Sequence, residues 1–98
     1  MLQVTTRAVR VLREERLQRG LPDNFGLRVR LDRTDSNGGI RLEFTERPAA
    51  GDEVGETAGL PVFVEPDLAE ALADHAIDTQ STPKGADLVL REQSELEE

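Results

Sequence analysis

Apolar and polar residues alternate on both sides of a polar, glycine-rich stretch, Asp35-Ser36-Asn37-Gly38-Gly39. Before it, Phe25, Leu27, Val29 and Leu31 interleave with Arg28, Arg30 and Asp32. After it, Ile40, Leu42 and Phe44 interleave with Arg41, Glu43 and Thr45. A period of two across a turn of this composition predicts a β-hairpin with one buried face. Upstream the period changes. Val4 reads as a short strand residue, and Ala8, Val9 and Leu12 then recur at helical spacing, with Leu17 a looser continuation. They predict a helix through about Gln18. Thr5 is its expected N-cap, because a hydroxyl there accepts a free amide of the first turn. Gly20, with Pro22 behind it, is the expected stop.

Downstream of the hairpin the signals are shorter. Arg47-Pro48-Ala49-Ala50-Gly51-Asp52 breaks the second strand. Glu53-Val54-Gly55-Glu56 is a weak strand signal, and a turn at Thr57-Ala58-Gly59 leads to a stronger one, Pro61-Val62-Phe63-Val64-Glu65. Pro61 suits the start of a strand and not its middle. Pro66-Asp67 opens a short second helix with Leu68, Ala69, Leu72 and Ala73 on one face, and His75 is placed at its C-terminal end. Two further strands are expected, at Ala76-Ile77-Asp78-Thr79 and from Ala86 to Arg91, joined by the turn Ser81-Thr82-Pro83-Lys84-Gly85. The pattern reads as one small α+β domain over residues 1–91 and an acidic tail over 92–98 that frays.

Composition removes several chemistries. The chain of 98 residues has no cysteine, so it supplies no disulfide, no thiolate nucleophile and no Cys-based zinc or iron–sulfur ligand. Phe25, Phe44 and Phe63 are the only aromatics, which leaves little on which bases could stack. The net charge of −8 divides into +3 over residues 1–47 and −11 over residues 48–98. A net acidic chain is repelled by nucleic acid and anionic membranes, and neither is an expected partner. No apolar run is long enough for a secretory signal or a membrane span, so the expected location is the cytoplasm. The helical row of Arg7, Arg10 and Arg13 reads as a solvated face.

Candidate chemistry is sparse. There is no GxSxG, P-loop, HExxH or EF-hand pattern, and no enzymatic activity is expected. Asp52-Glu53, or Asp32 with Asp35, could form a carboxylate pair, but acid–base work needs opposed environments that the sequence does not reveal. Imidazole and carboxylate from His75, Asp32 and Asp35 could ligate iron or zinc. The competing reading gives the loop acids to Asx-type turn bonds and His75 to a helix C-terminus. Exposed edges of short strands could also take a protein partner or a second copy, unless Arg28, Arg30, Arg41 and the prolines blunt them.

Helix, hairpin, weak strand, strand, short helix, strand, turn and strand, in that order, resemble the HesB/IscA family of A-type iron–sulfur assembly proteins from residue 3 to about 91. The carriers are Val4-Thr5 before the Ala8-Val9 helix, Gly26-Leu27-Arg28, Leu42-Glu43-Phe44, Val62-Phe63-Val64-Glu65-Pro66 and Ile77-Asp78. The resemblance implies a HesB-like fold of mixed short strands with an N-terminal and a second short helix. Family members typically hold one cysteine in an SGCSG-like hairpin loop and two in a C-terminal CGC. Ungapped alignment from Leu42-Glu43-Phe44 sets Asp35 at the first of these, and alignment on the glycine sets Ser36 there; Gln93-Ser94-Glu95-Leu96-Glu97-Glu98 has no CGC. The chain thus resembles a divergent, cysteine-less branch. The resemblance implies partners in the iron–sulfur assembly machinery and a homo-oligomer. It is the only basis for iron or a cluster; the residues themselves lead to no expected cofactor. Two other readings stay open: an adaptor unrelated to iron, and a mononuclear metal binder using Asp35, Ser36 and His75.

Overall fold

The computed structural model describes residues 1–34 and 39–96. Strand β1 (Gln3–Val4) leads into helix α1 (Thr6–Gln18). The Thr5 hydroxyl accepts the Ala8 amide at 3.2 Å, as expected of an N-cap. At the other end Gly20 takes φ +69°, its amide donates to the Leu17 carbonyl, and the Leu21 amide donates to Arg16. That pair of bonds is a Schellman stop, which favours glycine at the left-handed position.

Strands β2 (Gly26–Leu31) and β3 (Ile40–Thr45) form the expected hairpin, with Leu31 opposite Ile40 and Gly26 opposite Thr45. β4 (Glu53–Thr57) and β5 (Leu60–Val64) form a second hairpin, and β5 lies parallel to β2. The order β3-β2-β5-β4 puts the two hairpins side by side in one sheet. Ala58 (φ 49°) and Gly59 (φ 84°) make the two-residue turn between β4 and β5. Two successive positive φ values match the twist of the strands they join. Pro61 is the second residue of β5, before the β2 ladder begins at Leu27 and Val62, so its missing N–H breaks no bond of that ladder.

Helix α2 (Pro66–Ala71) starts with proline at its first position and ends early, with Leu72 as its cap. His75 therefore opens strand β6 (His75–Thr82) instead of closing the helix, and stands opposite Glu92 of β7 (Gly85–Glu92). The cause lies in the next residues. Ala76, Ile77 and Asp78 are all buried, because β6 is the middle strand of the β1-β6-β7 sheet and is covered on both faces. A 3-10 turn follows β7 at Gln93–Glu95. The Gln93 side-chain amide approaches the carbonyls of Met1, Ala73 and His75 at 3.0, 3.1 and 2.9 Å, and so ties the chain's end to its start.

Leu27, Val29, Val62 and Val64 from one sheet, Ile77 from the other, Val9 and Leu12 from α1 and Leu68 from α2 share one core. Each side chain so buried contributes roughly 1.5–3 kcal/mol. The fold is mixed α+β, as the sequence pattern implied. Among the described residues no helix is long and apolar enough to cross a membrane.

Candidate functional site

The hairpin sorts its residues by face. Leu27, Val29 and Leu31 of β2 stand opposite Phe44, Leu42 and Ile40 of β3 on the core side. The alternate face sets Arg28 opposite Glu43 and Arg30 opposite Arg41. Arg28 is the hub of that outer face. Its Nε and Nη2 donate to the two Asp52 oxygens at 2.8 and 3.1 Å, a bidentate pair. The Asp52 side chain is fully buried and also accepts the Ala49 amide at 2.9 Å. The Arg28 bonds hold the Asp52 carboxyl below its usual range against the opposing effect of burial, and Asp52 in turn raises the Arg28 guanidinium. Asp52 is thus a locked anion, far from the near-neutral proton affinity that a general base needs.

Glu65 links this face to the hairpin loop. The β5 ladder ends at Val64, yet the Glu65 amide still donates to Val29 O at 2.9 Å. The next β2 donor, the Leu31 amide, goes to Glu65 Oε1 at 3.1 Å. A carboxylate thereby replaces the backbone acceptor that the strand no longer provides. Its Oε2 accepts from Arg33 at 2.9 Å, and Arg28 Nη2 lies 3.8 Å away. The Leu31 amide first, and then Arg33, hold the Glu65 carboxyl low. Although Glu65 is the N-cap of α2, its side chain makes no cap bond and serves the root of the loop instead.

The loop closes with the Asp32 amide donating to Gly39 O at 2.8 Å. Asp32 Oδ1 accepts both the Thr34 hydroxyl, at 2.5 Å, and the Thr34 amide, at 3.0 Å. These bonds lower the Asp32 carboxyl and are the Asx-type turn chemistry expected of a loop acid. Asp35 and Ser36 lie outside the described residues. His75 belongs to the three-stranded sheet, whereas the loop springs from the four-stranded one. Its Nδ1 is 3.0 Å from Asp74 Oδ1, without the direction of a hydrogen bond. Among the described residues, no three His, Asp or Glu side chains are grouped to hold a metal.

A second ionic cluster was not singled out by the sequence pattern. Asp78 accepts the Thr5 hydroxyl at 2.8 Å, Arg7 at 2.9 Å and Arg91 at 3.2 Å. Burial pushes its carboxyl up, but the Thr79 amide, the Thr5 hydroxyl and Arg7 outweigh that and leave it below its usual range. The available signal was an acid inside the apolar run Ala76-Ile77-Asp78. The arginines of α1 also do more than meet water. Arg7 reaches Asp78, Arg13 donates to the Ala58 carbonyl and Arg16 to the Phe25 carbonyl, and Arg19, the C-cap just past the helix, lies 5.6 Å over the Phe44 ring. Between β3 and β7, two clefts of about 150 and 280 Å³ flank Leu42 and Leu88.

The fold as a whole is shared with known structures. A crystal structure of IscA with a [2Fe-2S] cluster superposes with a TM-score of 0.70 at 19% identity, over 94% of this chain and 85% of that one. The fold is that of the A-type iron–sulfur assembly proteins. Escherichia coli SufA, involved in the biosynthesis of iron–sulfur clusters, gives 0.73 at 19% identity over 94% of this chain and 85% of that one. A solution structure of an Aquifex aeolicus protein gives 0.69 at 22% identity, over 92% and 89%. No protein-family model matches the chain, and no curated protein matches it in sequence. The IscA and SufA fold is present here without a single cysteine.

Proposed function

We propose that this chain serves iron–sulfur cluster assembly through protein contact, without holding a cluster on thiolates. One conjunction carries the reading: the IscA and SufA fold spans 94% of a chain that contains no cysteine. Thiolates are the usual ligands of [2Fe-2S] and [4Fe-4S] clusters, and this chain has none to offer. Its charged groups at the loop root are engaged: Glu65 accepts from the Leu31 amide and Arg33, and Asp32 from the Thr34 amide. The proposed role is non-enzymatic and cytoplasmic. The proposed partners are proteins that handle iron or sulfur: a cysteine desulfurase, a scaffold or an apo-ferredoxin.

The test is a pull-down of the tagged chain against each of these purified partners, with an unrelated acidic protein of similar size as control. Enrichment of at least one partner over the control is the expected result. Recovery equal to the control for all of them sinks the reading and leaves an adaptor unrelated to iron.

A further inference from the structure

Two clefts lie between the edges of the two sheets. Strand β3 is an edge of the four-stranded sheet, and β7 is an edge of the three-stranded one; no strand among the described residues pairs with the outer side of either. The Asp32 amide bonds to Gly39 O, so residue 39 turns its backbone groups toward β2. By the alternation of an antiparallel ladder, Arg41 and Glu43 do the same, and Ile40, Leu42 and Phe44 present theirs to the open edge. The smaller cleft is walled by Ile40 and Leu42 on the β3 side and by Leu88 and Leu90 on the β7 side. The larger takes Leu42 and Phe44 with Ala86 and Leu88. The clefts are therefore offset by two residues along β3, about 7 Å, the distance between successive same-face side chains of an extended strand. Their chemistry differs. The smaller is lined by apolar residues alone, and about 150 Å³ of apolar space holds a group the size of benzene. The larger has Leu12 and Leu27 beneath it and a charged rim of Glu15, Arg19, Glu43 and Asp87. Glu15 bonds Arg19 at 2.9 Å and Glu43 pairs with Arg30 at 3.2 Å, while exposed Asp87 makes no ion pair among the described residues.

We propose that this edge takes an extended basic segment of a partner protein, added antiparallel to β3. A lysine or arginine of that segment fills the larger cleft, and an aliphatic or phenylalanine side chain two residues later fills the smaller. Backbone bonds to Ile40, Leu42 and Phe44 supply affinity, and the two clefts supply specificity by reading alternate side chains. The stem of the basic residue covers Leu42, Phe44 and Leu88, while its charged head reaches the rim at Asp87. Antiparallel addition sets the order, because the segment then runs from the Phe44 end to the Ile40 end. The residue between the two anchors lies on the face of Arg41 and Glu43, whose charges are met within the chain by Asp32 and Arg30, so that position is not restricted. A net charge of −8 draws in a cationic segment and repels an acidic one. Filling both clefts also covers Ile40 and Leu90, which are 39% and 42% exposed. The site defines the chemistry of a partner and stands whether or not that partner handles iron or sulfur.

Amide hydrogen exchange of the isotope-labelled whole chain, read by NMR, tests it. The probe is the end-capped peptide Thr-Thr-Lys-Thr-Leu-Thr-Thr at about 5 mM. Exchange at Ile40, Leu42 and Phe44 is expected to slow about tenfold, while Arg41 and Glu43, already bonded to β2, stay as they were. The same peptide with glutamate in place of lysine is expected to bind the wild type about fivefold more weakly. Asp87→Lys, an exposed substitution whose fold circular dichroism confirms, is expected to reverse that preference. No slowing at the three edge amides, equal slowing by both peptides, or an Asp87→Lys variant that keeps the wild-type preference would each overturn the proposal. So would edge amides that are already slow in the free protein at every dilution, because the edge would then be closed without a partner.

Discussion

Buried Asp78 and half-buried Arg28 are both charges with partners on several elements, but the clusters around them are built in opposite senses. Asp78 is a lone carboxylate, 3% exposed, and receives donors from α1, from its own strand and from β7. Two of the groups that hold it are neutral, the Thr5 hydroxyl and the Thr79 amide. Its Arg7 partner is 67% exposed. Arg28 is a guanidinium, 15% exposed, ringed by Asp52, Glu65 and Glu43. There the cation is the inner member, and Asp52 depends on it, while Glu65 leans mainly on the Leu31 amide and Arg33. Asp78 keeps neutral donors and a second arginine whatever becomes of one of them, whereas Asp52 has, among the described residues, no cation but Arg28.

Substitutions sharpen that contrast. Arg28→Ala leaves fully buried Asp52 without its counter-ion and strips one neighbour from Glu65. Breaking a buried pair from one side costs about 3 kcal/mol, and a urea melt is expected to show that loss. Asp78→Ala is expected to cost about 2 kcal/mol, because it removes the acceptor of the Thr5 hydroxyl and leaves a cavity at a buried site, while the Thr5 amide keeps its bond to Ile77 O of β6. If Asp78→Ala proves the more damaging of the two, the ranking of charge over neutral clamps fails.

Acid comes next in size. Asp78, Asp52 and Glu65 all have carboxyls held below their usual values. Their contribution is therefore complete above the unfolded range near about pH 4, and is lost as pH falls through the lower folded values. The urea midpoint is expected to be level above about pH 5 and to drop below about pH 4, with a shallower drop in Asp78→Ala. A midpoint that fell between pH 7 and pH 5 would contradict the assignment. The smallest effect belongs to Arg7→Ala. Its solvated guanidinium contributes only about 0.3 kcal/mol, and most of that disappears in high salt.

Local pattern carried the elements well. Thr5 caps α1, Gly20 stops it, the alternation from Phe25 to Thr45 is a hairpin, and Thr57-Ala58-Gly59 is a turn. Each is written in neighbouring residues. What local pattern does not carry is pairing between distant segments. The parallel partnership of β2 with β5, and the burial of β6 on both faces, arise from the packing of the two sheets. His75 was misplaced for that reason, since its fate was set by β1 and β7 and not by α2. Arg7 and Arg13 read as part of a solvated face because their acceptors, Asp78 and the Ala58 carbonyl, lie far along the chain. Asp52 was weighed as a catalytic acid beside Glu53, yet its partner, Arg28, lies in another hairpin. The Asx turn at Asp32 was legible because both of its bonds go to a residue two positions away.

Anaerobic reconstitution with ferrous iron and sulfide, followed by desalting and analysis of bound iron and acid-labile sulfide, tests most directly whether this fold works without its own cluster. The account predicts iron and sulfide at the level of a control protein and no visible absorption band of a cluster. Stoichiometric iron and sulfide retained through desalting would contradict it, and would mean that oxygen and nitrogen ligands of this chain have taken the place of the missing thiolates.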